Sequence, residues 1–202
     1  MNSPTTTIFV VDDDAAVRDS LTLMLEQENL YVEAFATAAD FLAAYRTDRF
    51  GCIIIDVRMP GMDGIQLQQK LIERGSPLPI IFLTGHGDIP TSVRAIKAGA
   101  VDFLTKPISR EKLVAAVRAA IGQYQQALDQ IALVASRLAD LTEREREVMT
   151  LAVLGNPNKE IAILLGISHR TVEIHKSHIM HKTGAANLLD LARLAQDAGL
   201  QR

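Results

Sequence analysis

The chain has a single cysteine, Cys52, among 202 residues. It can form no internal disulfide, so a reducing compartment is the simplest setting. No basic residue precedes Arg18, so the charged opening of a secretory signal is missing. No apolar run approaches the roughly 20 residues needed to span a bilayer. Positive charge is also scarce. Residues 1–122 hold 12 Lys+Arg against 15 Asp+Glu, and residues 123–202 hold 9 of each. Binding of nucleic acid by bulk charge is thereby excluded, and any DNA contact must come from a local patch. The expectation is a cytoplasmic protein with no membrane partner. Hydrophobic residues make up 48% and charged residues 22%, enough for an ordinary core in one large domain or two small ones.

The first half alternates strand-like and helix-like runs. Strands are predicted at "IFVVD" (8–12), "YVEAF" (31–35), "CIIID" (52–56), "PIIFLT" (79–84) and "VDFLT" (101–105), which are short, rich in β-branched or aromatic residues, and close to Gly, Pro or Asp. Amphipathic stretches such as "AAVRDSLTLMLEQE" lie between them. Five strands alternating with helices imply a parallel sheet covered on both faces. Ligands of such sheets bind beyond the carboxyl ends of the strands. Asp12 and Asp13 end the first strand, Asp56 the third and Thr84 the fourth, and Lys106 follows the fifth. Carboxylates gathered there are tolerable if a hard divalent cation such as Mg²⁺ sits among their oxygens, with Lys106 adding positive charge. Asp14 is surplus to that cluster and suits the N-cap of the next helix.

The stretches "VVDDD", "IIIDVRMPGMDG", "LTGHGD" and "DFLTKP" occur in this order on those elements. Together they resemble the receiver domain of bacterial response regulators, especially the FixJ-like branch, over about the first 120 residues. The resemblance implies a flavodoxin-like, doubly wound α/β receiver over 1–122. It implies Asp56 as the acceptor of a phosphoryl group from a sensor histidine kinase. Asp12 and Asp13 match the metal-binding acid pair, and the backbone carbonyl of Arg58 matches a further metal ligand. Thr84 and Lys106 match the residues that contact phosphoryl oxygens, Phe103 matches an aromatic switch position, and Lys106-Pro107 matches a cis peptide. Arg94, Lys97, Glu111 and Arg118 are candidates for the rim of a dimer face, and His86 for partner contact, with solvated surface roles as the alternative for all five.

From Ser109 to Asn156 there is no proline. Ser109 is a plausible N-cap for the last receiver helix. A helical linker is expected over 123–138, with Tyr124, Leu128, Ile131, Ala135 and Leu138 forming an apolar seam. This seam either pairs with a second copy or packs on its own chain. In the second half, Thr142 and Glu145 form a capping-box pattern. "NKEIAILLGISHRTVEIHKSHIMHKTG" has the layout of a helix-turn-helix: one helix over about Asn158 to Leu165, a turn at Gly166, then a longer helix from an N-cap at Ser168 to Gly184. Residues 139–202 resemble the all-α GerE/LuxR-type DNA-binding domain.

The second of these helices would enter the major groove of promoter DNA. Val172, His175 and Ile179 fall on its inward face. Arg170, Glu173, Ile174, Ser177, His178 and Lys182 lie elsewhere and are available to DNA. By the resemblance, Glu173, Ile174 and Ser177 match positions that reach base edges, while Thr171, Lys176 and Lys182 suit phosphates. Residues 156–182 carry only four Lys+Arg against two Asp+Glu, so affinity is expected to require a dimer on two half-sites. His175, His178 and His181 at three-residue steps lack a carboxylate or cysteine to complete a metal shell, so phosphate contacts, or core packing for His175, are the expected roles. The leading function is a phosphorylation-controlled transcriptional regulator that dimerises when phosphorylated, with RNA polymerase a further candidate partner. A phosphohydrolase and a DNA-binding protein with an unphosphorylated receiver are the alternatives. Against the phosphohydrolase, residue 58 is Arg, so no second carboxylate stands two residues after Asp56 as a general acid.

Overall fold

A computed structural model describes residues 6–85 and 89–197. The chain divides into two compact units, Met1–Gln125 and Gln126–Arg202. In the first, strands β1 (Thr7–Val11), β2 (Tyr31–Phe35), β3 (Gly51–Asp56), β4 (Ile80–Thr84) and β5 (Asp102–Thr105) alternate with helices α1 (Ala15–Glu26), α2 (Ala38–Ala44), α3 (Gly64–Glu73) and α4 (Ile89–Lys97). Helix α5 (Arg110–Ala139) follows. The strands form one parallel sheet, as the β/α alternation predicts, and their order is β2-β1-β3-β4-β5.

Alternate residues of the central strands serve opposite cores, because successive strand side chains point to opposite faces. Phe9, Val11, Ile53, Ile55 and Phe82 pack with Phe41, Leu67, Leu71 and Ala95. Ile8, Val10, Cys52, Ile54, Ile81 and Leu83 pack with Leu21, Leu25, Leu113, Val117 and Ala120. Both faces are therefore dry, and the strands read as apolar runs rather than as an apolar–polar alternation. Gly51 is required by close approach: at φ +153°, a Cβ there would lie 1.8 Å from the Thr7 carbonyl oxygen.

The last receiver helix and the expected linker are one continuous helix, α5. The apolar seam proposed for the linker is not a single stripe. Tyr124 stacks on Phe50 with ring centroids 5.2 Å apart and packs, partly buried, at the edge of the first unit's core. The reason is helical phase: Leu113, Val117, Ala120 and Tyr124 recur at four, three and four residues, so Tyr124 continues the sheet-facing stripe. At the other end, Leu138 is buried in the second unit's core. Ile131, between them, is exposed.

The second unit continues with α6 (Glu143–Val153), α7 (Asn158–Leu165), α8 (His169–Thr183) and α9 (Leu188–Asp197). Thr142 and Glu145 form the expected capping box. Gly166 ends α7 at φ 65°, in the left-handed region, and Ser168 caps α8 by accepting from the Thr171 amide. Val148, Met149, Ile161, Val172, Ile179 and Leu191 form its core. Among the described residues, no helix is long and apolar enough to cross a membrane.

Candidate functional site

The carboxyl edge of the sheet brings together Asp12, Asp56, Thr84 and Lys106. Asp12 follows β1 and is 1% exposed; Asp56 ends β3 and is 7% exposed. Thr84 ends β4 and is also buried. The Lys106 amide donates to the Thr84 carbonyl at 2.7 Å, and the Lys106–Pro107 peptide is cis. The Lys106 ammonium lies 2.6 Å from Asp12 Oδ2 and 2.9 Å from Asp56 Oδ1. The other Asp56 oxygen accepts from the Arg58 amide at 3.0 Å, and Asp12 Oδ1 accepts from the Asp14 amide at 3.0 Å. Asp14 is the N-cap of α1 and accepts from the amides of Ala16 and Val17.

One lysine between two buried carboxylates leaves a surplus negative charge when both are ionised. Burial pushes the Asp56 carboxyl above its ordinary value; the Lys106 hydrogen bond and charge oppose this, and Asp12 adds to it. Burial works against the Lys106 ammonium, yet its hydrogen bonds to Asp12 and Asp56 and their charges raise its pKa overall. Such a pocket favours a further cation or a change of charge at Asp56.

Asp13 is exposed, and among the described residues no group of three or more His, Cys, Asp or Glu side chains is assembled for a metal. Mg²⁺ does not need such a cage; it is commonly held by one or two carboxylates together with water and substrate phosphates. The donors at this edge are all oxygens and carry surplus negative charge, so their chemistry fits. Phe103 is partly buried beside Phe82, with centroids 6.1 Å apart. Arg118 pairs with Glu28 at 2.9 Å, which gives one candidate rim residue a partner within its own unit. His86 lies outside the described residues.

Two residues here escaped the sequence reading. The Arg18 guanidinium reaches back from α1 to the Asp12 carbonyl at 2.7 Å, so all three Asp12 oxygens accept hydrogen bonds. Gly64 opens α3 against the Asp56 backbone, where a Cβ would lie 2.3 Å from the Asp56 carbonyl oxygen. Its amide donates to the Val57 carbonyl at 3.0 Å. The glycine of "GMDG" was the available signal; nothing in the pattern announced Arg18.

Helix α8 presents a different surface. Val172 and Ile179 are buried as expected, and His175 turns a buried Nδ1 inward with no hydrogen-bond partner among the described residues. Arg170, Glu173, Ile174 and Ser177 are exposed. The residues expected on phosphates are engaged within the unit. Thr171 Oγ1 lies 2.8 Å from Ser168 Oγ, Lys176 donates to Asn158 Oδ1 at 2.6 Å, and Lys182 donates to Glu145 Oε2 at 2.6 Å and to the Asp140 carbonyl at 3.3 Å. Glu145 is 3% exposed. Burial alone would raise its carboxyl, but the Lys182 ammonium and the Thr142 amide and hydroxyl outweigh this and hold it at about 2.

Comparison with known proteins agrees with both halves. Residues 8–118 match the response regulator receiver domain, and residues 139–195 match the luxR family of bacterial regulatory proteins. The chain is 45% identical over 196 residues to the transcriptional regulatory protein FixJ of Bradyrhizobium diazoefficiens, covering 96% of each chain. It is 46% identical over 188 residues to the transcriptional regulatory protein TdiR of Thauera aromatica, covering 92% of this chain and 83% of that one. Full-length FixJ from B. japonicum superposes with a TM-score of 0.61 at 43% identity, covering 99% of this chain and all of that one. The chain thus belongs to the two-component response regulators, as a DNA-binding transcriptional regulator that joins a receiver domain to a luxR-type helix-turn-helix domain.

Proposed function

We propose that residues 1–122 form a receiver switched by phosphorylation of Asp56, that 123–138 serve as a helical linker, and that 139–202 form the DNA-binding domain. The observation that carries the switch is the Lys106 ammonium held between the buried carboxylates of Asp12 and Asp56. An Asp56 oxygen attacks the phosphorus of a phosphohistidine on a sensor kinase; the new O–P bond forms as the P–N bond breaks and the imidazole leaves. This chemistry depends on positioning and on neutralising charge at the equatorial oxygens. Lys106 supplies one positive charge and the Thr84 hydroxyl a hydrogen-bond donor. Asp12, Asp13, Asp56 and the Arg58 backbone carbonyl would hold Mg²⁺, which neutralises further phosphoryl charge. Arg18 and Gly64 fix the backbone on which Asp12 and Asp56 stand.

Phosphorylation replaces one negative charge at Asp56 with about two on a larger group. Lys106 and Thr84 then turn to the phosphoryl oxygens, and Phe103 shifts to signal the change. The phosphorylated chain dimerises and places two α8 helices on promoter half-sites in the cytoplasm, where it contacts RNA polymerase. The receiver catalyses only its own phosphoryl transfer and dephosphorylation, because Arg58 offers no general acid for external phosphate esters. The test is gel-shift binding of a promoter library to wild type and Asp56→Asn, each with and without Mg²⁺ and acetyl phosphate. Binding that tightens only for wild type with both additions supports the switch; equal binding under every condition overturns it.

A further inference from the structure

DNA is a polyanion, and most of the affinity of a DNA-binding protein comes from cations placed near its phosphates. Helix α8 is poor in cations available for this. Lys182 neutralises the buried Glu145 carboxylate at 2.6 Å. Moving it to a phosphate would leave a buried charge unpaired, which is strongly unfavourable. Lys176 is part-buried against Asn158. The remaining cation on the helix is Arg170, whose side chain is 84% exposed. The second half of the chain has no net positive charge to compensate.

The same helix carries four of the five histidines of the chain. His175 faces inward. His169 and His178 are 56% and 61% exposed, and His181 is exposed as well. Arg170, Ile174, Ser177 and His181 recur at four, three and four residues, so His181 falls on the outer stripe. His178 and His169 flank that stripe. We infer that the exposed imidazoles of His169, His178 and His181, rather than the ammonium groups of Lys176 and Lys182, make the phosphate contacts of helix α8, and that DNA binding therefore takes up protons.

Each of these imidazoles also has charged neighbours within the unit. His178 faces Glu145 of α6 at 3.8 Å, and that carboxylate is shared with Lys182. His169 faces Glu173 at 3.8 Å, and Arg170 reaches the same carboxylate at 4.0 Å. His181 lies beside Lys182 in the last turn, where the helix end favours a cation. Imidazole is the side chain whose charge changes between pH 5 and 8. A nearby phosphate favours the protonated form, and reciprocally protonation favours the phosphate.

The experiment measures binding of the full chain, without a phosphoryl donor and at low salt, to two fluorescent duplexes. One is selected from a random pool by the full chain at pH 7, and the other is an unselected duplex of equal length. Between pH 8 and pH 6, affinity should rise by up to about tenfold per pH unit for each proton taken up. The dependence on salt should steepen by about 0.9 in log–log slope for each added phosphate contact. The variant with His169→Gln, His178→Gln and His181→Gln should lose both responses while keeping its helical circular dichroism. The corresponding triple His→Arg variant should bind at pH 8 as tightly as wild type binds at pH 6. Because the acid pocket is intact in every chain compared, failure of the Asp56 reading would leave these differences unchanged. A flat pH profile in wild type, an undiminished pH response in the Gln variant, or no gain at pH 8 in the Arg variant would each overturn the inference.

Discussion

Glu145 binds three donors on two elements at once, and this makes its removal unusually informative. It accepts from the Thr142 amide at 2.8 Å, the Thr142 hydroxyl at 3.0 Å and the Lys182 ammonium at 2.6 Å. Glu145→Gln keeps an amide oxygen for Thr142 but loses the charge facing Lys182. A hydrogen bond to a charged group is worth about 1.5–3 kcal/mol against about 0.5–1.5 for a neutral one, so this variant should cost about 1–2 kcal/mol. Glu145→Ala also removes the capping box, worth about 1 kcal/mol, and leaves Lys182 part-buried and unpaired. The total should then be about 3 kcal/mol, below the upper range for breaking a fully buried pair. Hydrogen exchange by mass spectrometry on peptides covering α8 reads this directly. Exchange should quicken roughly tenfold in the Gln variant and roughly hundredfold in the Ala variant. The acid response has a defined sign. Glu145 is held at about 2 against an ordinary 4.5, so its stabilisation is complete above pH 4.5 and lost as pH falls from there towards 2. The Gln variant should lack that acid loss. Unchanged α8 exchange in Glu145→Ala would refute the claim that this carboxylate anchors the recognition helix.

Asp56→Asn should unfold at a higher temperature than wild type at pH 7 in metal-free buffer. The folded Asp56 carboxyl is raised above its ordinary 3.8, so wild type loses stability as pH rises through the folded value. Calorimetry should find the difference shrinking as pH falls through the raised folded value, and gone below pH 3.8. Gly64→Ala forces a methyl towards the Asp56 carbonyl and should slow labelling by acetyl phosphate roughly tenfold or more, followed by intact mass. Asp14→Ala removes a helix N-cap at about 1 kcal/mol. It should loosen the first-turn amides of α1 in hydrogen exchange while leaving the labelling rate within about twofold, since Asp14 is a cap rather than part of the pocket.

Features set by neighbours in the chain were legible in the sequence. The apolar strand runs ended close to where the sheet ends, and the rule for parallel sheets then carried Asp12, Asp56, Thr84 and Lys106 to one edge. The Thr142–Glu145 box, the Gly166 turn and the Ser168 cap depend on spacings of a few residues, and each stands where the pattern put it. Features that depend on distant partners were not legible. Nothing local shows that Lys176 and Lys182 donate hydrogen bonds to Asn158 and Glu145, 18 and 37 residues away. The second role of Glu145 was hidden behind its local one. Tyr124 fits two helical stripes equally well, and only the position of Phe50 decides between them. Gly51 and Gly64 had no role in the sequence reading, because their constraint is how closely another stretch of backbone approaches.

The sheet order has a consequence for the timing of assembly. Every strand pair in this unit is parallel and joined by a crossover, so each pairing closes a long loop before it is rewarded. The helical unit that follows relies on short-range contacts and should form faster once made. During synthesis β1 and β3 emerge well before β5, and Lys106 arrives only after β5. Until then Asp12 and Asp56 face each other across neighbouring strands without their shared cation. The last strand to dock thus delivers the charge that makes the first strand's ending tolerable, so a nascent chain cannot complete its acid pocket before its sheet is whole.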